Sequence, residues 1–197
     1  MNDFGLLISR FALGAGMAAH GAQKAFGAFD GPGPQGAAQF LQSLGFEPGE
    51  RFATAAAWTE LGSGTLIALG LGGPIGPAAL MATMLVAQTS VHAKNGFFSQ
   101  KNGVELGVVY SAGALALASG GFGRFSLDEA FGWQKLRAPW LSALAVAGGI
   151  AAGCLILAQR TPPPPASAVA DPAAALTEMQ ERLTAALEDR PVSADAP

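Results

Sequence analysis

Six ionisable side chains stand inside, or at the ends of, runs made mostly of Ala, Leu, Val, Ile, Phe and Gly: Arg10, His20, Lys24, Glu60, His92 and Glu105. A carboxylate grouped with histidine or lysine is a minimal set for moving a proton or for holding the polar head of a small ligand. Glu60 and His20 are the acid/base pair such a site would use. The competing reading is an internal ion pair, Arg10 or Lys24 with Glu60, that only holds helices in register; for Arg10 this plainer reading is preferred. Glu105 has a plain role as well, since a carboxylate in the first turn of a helix is favoured by the helix dipole. The two histidines are all the chain has, and nothing resembles a Met-His-Cys cluster. Haem and metal are therefore not expected, and no cofactor is identified from the residues themselves. Cys154 is the single cysteine, which excludes an internal disulfide or a CxxC site, and its apolar surroundings read as a buried thiol. No phosphate loop, GxSxG, HExxH or dinucleotide fingerprint occurs. A net charge of −3 without a basic cluster argues against nucleic acid as a partner.

The elements that must position these residues are apolar helices. Only 13% of the 197 residues are charged and half are hydrophobic, whereas a soluble domain carries roughly 25% charged residues. That deficit points to the lipid bilayer as the surrounding medium. Segments 4–26, 52–71, 78–92, 104–119 and 140–158 each approach the ~20 apolar residues a spanning helix needs. The turn Gly72-Gly73-Pro74 forces the second and third into a tight hairpin. Between the first two, residues 35–44 place Ala38, Phe40, Leu41 and Leu44 near one face, as an interfacial helix would. Residues 122–137 read as a connecting loop. Met1-Asn2-Asp3 lacks the positive charge of a signal peptide, so the first segment reads as a retained helix. The expected fold is all-α and integral to the membrane. A four-helix transmembrane bundle occupies residues 1–130, a loop and fifth transmembrane helix 131–160, and a Pro/Ala-rich disordered tail 161–197, with an amphipathic helix over 173–188 that would order on a partner.

Alternating helix directions make the polar residues more informative. His20 and His92 fall near the C-terminal ends of the first and third helices, on one side of the membrane. Glu60 enters from that side and lies about 12 Å deep at 1.5 Å per residue. Lys24 and Glu105 sit at the same face, while Arg10 is about three turns deeper. Arg10, His20, Lys24, Glu60, His92 and Glu105 thus form a candidate polar cavity, suited to a quinone head group, a proton or a small polar ligand. Gly14, Gly16, Gly62, Gly64, Gly149 and Gly153 are candidate close-packing positions, and the GxxxG pair Gly149/Gly153 offers a contact for a homo-oligomer. Lys24, Arg51, Lys94, Lys101 and Arg160 outnumber Arg124, Lys135 and Arg137, which puts the N-terminus outside and the tail in the cytoplasm.

Arg10, His20-Gly21, Lys24 and Gly27 resemble the opening of the DoxX family of small bacterial membrane proteins. The likeness continues through Glu60 with Gly62 and Gly64, the Gly72-Gly73-Pro74 turn, His92 with Gly96-Phe97-Phe98, Glu105, and Gly123-Arg124-Phe125-Ser126-Leu127-Asp128, and covers about residues 4–130. The resemblance implies a four-helix membrane core in the bacterial cytoplasmic (inner) membrane. It also implies association with a membrane oxidoreductase complex, since some relatives are subunits of thiosulfate:quinone oxidoreductase. The carried-over candidates are His20, Lys24, Glu60, His92 and Glu105; the fifth helix and the tail depart from the family pattern. Three functions compete: a non-catalytic, quinone-interacting subunit of an oxidoreductase, a small proton-coupled transporter, and a scaffold whose tail recruits a soluble partner. The absence of an evident inverted repeat counts against the transporter.

Overall fold

The computed structural model describes residues 3–162 together with Gln180. Among them there is no strand, and the fold is all-α. The long helices are α1 (Asp3–Phe26), α2 (Gly33–Ser43), α3 (Gly49–Leu69), α4 (Ile75–Ala87) and α5 (Glu105–Gly120), followed by the single turn α6 (Leu127–Ala130) and by α7 (Pro139–Ala158). A π turn, Gln88–His92, prolongs α4. The expected amphipathic helix over 173–188 and the expected disordered tail lie outside the described residues, apart from Thr161, Pro162 and Gln180.

The closest packing is antiparallel, α1 against α3, and small residues make it. On α1 the buried stripe is Arg10, Gly14, Met17 and Gly21, spaced four and three residues apart as one face of a helix. On α3 the facing stripe runs through Ala53, Ala57, Glu60, Gly64 and Ile67. A Cβ built on Gly14 would strike Ala68 N and Gly64 O, and one on Gly64 would strike Ala18 N and Gly14 O. Gly21 meets Leu61 N and Ala57 O in the same way, although it had not been singled out for packing. The two backbones therefore touch where no side chain fits. Gly16 instead faces the Tyr110 hydroxyl of α5, 2.6 Å from where its Cβ would lie. Met17, Ile67, Leu80, Ala114 and Phe122 close the apolar centre.

Two expectations about glycine need correction. A Cβ on Gly62 would meet nothing within 4 Å. Gly62 is two residues from Gly64, about 200° of helix rotation, so it faces outward and packs nothing. Gly149 and Gly153 are taken up within the chain: their Cβ positions fall against Ala78 O, and against Ala82 O with Leu85, so α7 lies parallel to α4. The surface proposed for a homo-oligomer is already occupied by α4. Cys154 is exposed, not buried, because it follows Gly153 on the outward side of α7.

The exterior is apolar. Phe11, Val109 and Leu155 are 59%, 58% and 67% exposed, with Ile8, Leu106, Leu144 and Ile150 also outward. Among the described residues only α7 is both long and apolar enough to cross a membrane by length and composition, and α5 is apolar but shorter. Helices α1 and α3 have the length, at 24 and 21 residues, but α1 carries Asp3, Arg10 and Lys24 and α3 carries Glu50, Arg51 and Glu60, which lower their hydropathy.

A polar-ended cavity at one end of the bundle

Helix direction places the C-terminal ends of α1, α4 and α7 at the same end of the bundle as α2 and the N-termini of α3 and α5. There a cavity of about 590 Å³ lies among α2, α3, α4 and the last turn of α7. Ligand pockets are typically about 300–1,000 Å³, mostly apolar, with a few placed polar groups. One wall is Phe40, Leu41, Leu44, Phe46 and Phe52, and the facing floor is built from alanines such as Ala56 and Ala87. Small residues on the floor and rings on the wall leave a slot rather than a packed core.

Lys24, Glu60 and His92 supply its ionisable groups. Lys24 Nζ donates to Glu60 Oε2, joining the last turn of α1 to the middle of α3. Their side chains are 26% and 8% exposed, so the carboxylate is the more deeply buried partner. Burying a carboxylate is tolerated when a cation compensates it at contact distance. His92 reaches the cavity through the π turn. That wider turn brings Ser90, Val91 and His92 round together, and such turns recur at functional sites. His92 Nδ1 lies 2.8 Å from the carbonyl of Asn102. A carbonyl only accepts, so Nδ1 carries the proton and, in the neutral ring, Nε2 is left as an acceptor.

The other three candidates go elsewhere. His20 is exposed and absent from the cavity lining. It sits one residue, about 100° of rotation, before the packed Gly21, so it turns away from Glu60 and the expected acid/base pair does not form. Glu105 accepts the backbone N–H of Ser99 at 2.9 Å, and its own N–H bonds Phe97 O at 2.8 Å. It fastens the loop into α5 instead of facing the cavity. Arg10 is 2% exposed and lies at the opposite end of the bundle. Its Nη1 donates to Ala68 O and, at 3.3 Å, to Ile67 O, and its Nη2 donates to Phe125 O at 2.6 Å. A guanidinium on the last carbonyls of α3 complements the negative end of that helix. The register role expected for Arg10 is thus made with backbone carbonyls, not with Glu60.

Residues read as loop supply the rest of that end. The carboxylate of Asp128, 1% exposed, accepts the backbone N–H groups of Gly72 and Gly73, both at 2.8 Å. Gly72 and Gly73 have φ of 82° and 56°, a conformation that aims both N–H groups the same way. Ser126 Oγ accepts from Glu129 N at 3.2 Å and starts α6. The pattern Ser126-Leu127-Asp128-Glu129 is a capping-box spacing, a sequence signal for a helix inside the supposed loop. Glu129 is half-buried; hydrogen bonds from Gln134 and Arg137, the latter at 2.5 Å, hold its carboxyl below the ordinary carboxylate range.

The fold is thus an all-helical bundle with an apolar exterior and a ligand-sized cavity at one end. Residues 5–93 match the model of the DoxX family. Over that span, a little under half of the chain, it is similar to the DoxX family, whose members are membrane-associated. The match takes in α1–α4, including Lys24, Glu60 and His92, and is narrower than the resemblance read from residues 4–130; Glu105 and the 123–128 segment lie beyond it. Comparison with curated proteins and with solved structures found no match.

Proposed function

We propose that this chain is a multi-pass protein of the bacterial inner membrane that binds the polar head of an amphipathic membrane ligand, of quinone type, as a non-catalytic subunit of a membrane oxidoreductase. The carrying observation is the cavity of about 590 Å³, apolar over most of its lining and ended by Lys24, Glu60 and His92. Its size and lining suit a ring-shaped head with an alkyl tail.

The multi-pass reading rests on the exterior. Exposed aromatic residues gather at both ends of the bundle, Phe26, Phe97 and Phe98 at the cavity end and Phe131, Trp133 and Trp140 at the other. Two such belts mark the two interfaces of a bilayer. Helix lengths of 16–24 residues in α1, α3, α5 and α7 correspond to roughly 24–36 Å, around the ~30 Å of a hydrocarbon core. α4 with its π turn reaches a similar length. The excess of basic residues at the cavity end favours a cytoplasmic location for that end and for the tail. Interior charges are compensated: Glu60 by Lys24, and Arg10 by carbonyls.

The test is saturable binding of a decyl-substituted quinone to the purified protein in lipid nanodiscs, with Ala56→Trp filling the slot. Saturation that is lost in the filled variant supports the reading. Partitioning identical in nanodiscs without protein refutes it. Recovery of an oxidoreductase with the tagged chain in mild detergent tests the subunit role separately.

A further inference from the structure

The hydrogen-bonding sense of the cavity is uneven. On the α4 wall, Ser90 Oγ donates to Val86 O at 2.7 Å and Thr83 Oγ1 donates to Ala79 O at 3.1 Å. Each hydroxyl has one proton, so toward the cavity both present only lone pairs. His92 adds a third acceptor, Nε2, because Nδ1–H is held by the Asn102 carbonyl at 2.8 Å. That carbonyl also accepts from Asn95 Nδ2 at 3.1 Å, which fixes the loop that orients the ring. Thr83, Ser90 and His92 all line the cavity. Across from them the ammonium of Lys24 is bound to Glu60, so the pair is neutral overall and offers nothing to attract a free charge.

We infer that the cavity selects a neutral head group carrying a hydroxyl donor, a hydroquinone or phenol, over the carbonyl form of the same ring. This rests on the amphiphile-binding reading above and states which chemical form occupies the site. A ring carbonyl turned toward α4 faces three sets of lone pairs and makes no hydrogen bond there. A ring hydroxyl donates to His92 Nε2 or to Ser90 Oγ, while its partner oxygen across the ring accepts from Lys24. The oxygens of an oxidised ring can accept only from Lys24 and from the Thr59 hydroxyl of α3, and find no donor on α4. Leaving polar groups unpaired in an apolar slot is what separates close analogues most strongly.

Three probes built on one ring test this on the wild-type protein in nanodiscs near pH 8: a decyl hydroquinone kept reduced, the matching quinone, and the hydroquinone's dimethyl ether. The expected result is hydroquinone binding roughly tenfold tighter than either of the others, about the worth of one hydrogen bond. His92→Ala and Ser90→Ala each lower that ratio toward one. Equal affinities, or a preference for quinone or ether, overturn the inference and leave the binding reading standing. Saturable binding by none of the three overturns both.

Discussion

Replacing Gly64 with alanine puts a Cβ 2.5 Å from Gly14 O and 2.9 Å from the Cα of Ala18. Both obstacles are backbone of α1, so no rotamer change makes room, and the two helices must separate along a contact they hold from Arg10 to Gly21. Overpacking of this kind costs about 1–3 kcal/mol, and the upper part of that range applies when backbone rather than side chain blocks the new atom. Gly62→Ala, two residues away on the same helix, meets nothing within 4 Å. There the change only trades glycine for a better helix former, worth up to about 1 kcal/mol in favour of the variant. The two substitutions are chemically identical, so denatured-state effects largely cancel between them. Unfolding by a denaturing detergent in mixed micelles, followed by helicity, should rank Gly62→Ala at or above wild type and Gly64→Ala at least about 2 kcal/mol below Gly62→Ala. Equal stabilities, or the reverse order, would refute the α1–α3 contact described above.

Asp128→Ala removes the acceptor for two backbone N–H groups and should destabilise by about 2–5 kcal/mol, read in the same unfolding assay; a loss under about 0.5 kcal/mol would show that the hairpin does not need its clamp. Lys24→Ala leaves the buried Glu60 carboxylate without its cation. The expected cost is below the roughly 3–5 kcal/mol of a fully buried pair because Lys24 is 26% exposed, and the double variant Lys24→Ala/Glu60→Ala should recover part of it. The depressed carboxyl of Glu129 contributes stability above its unfolded pKa that is lost as pH falls through the lower folded value. Arg137→Gln should flatten that acid limb of the melting-temperature profile, and an unchanged profile would discount the contact. Cys154, exposed on α7, should react in intact membranes with a lipid-soluble maleimide and not with a membrane-impermeant one; ready labelling by the latter would place α7 in water.

Helix positions were largely legible because long apolar runs broken by Gly and Pro leave few alternatives. Expected segments 4–26, 104–119 and 140–158 differ from α1, α5 and α7 by a residue or so at each end. Helix direction alone was enough to bring Lys24, Glu60 and His92 to one end. Rotation about the helix axis was not legible, and the errors at His20 and Gly62 are of that kind. His20 lies one residue off the packed stripe, and Gly62 lies two residues from Gly64. The π turn could not be anticipated from spacing, yet it carries Ser90 and His92 to the cavity wall. Asp128 was hidden because 122–137 has no apolar periodicity. Its burial is compensated by backbone N–H groups that appear only once Gly72 and Gly73 take positive φ. The capping-box pattern from Ser126 to Glu129 was the one local signal there.

Photolabelling by a decylquinone carrying a diazirine on its ring, in nanodiscs and followed by peptide mapping, tests the central claim most directly. Binding in the cavity predicts saturable labelling confined to its lining on α3 and α4, around Thr59 and Thr83 through Val91, competed by unlabelled quinone and abolished by Ala56→Trp. Labelling spread over the outward faces of α1, α5 and α7, without competition, would mean that the ligand only dissolves in the surrounding lipid and that the cavity is not its site.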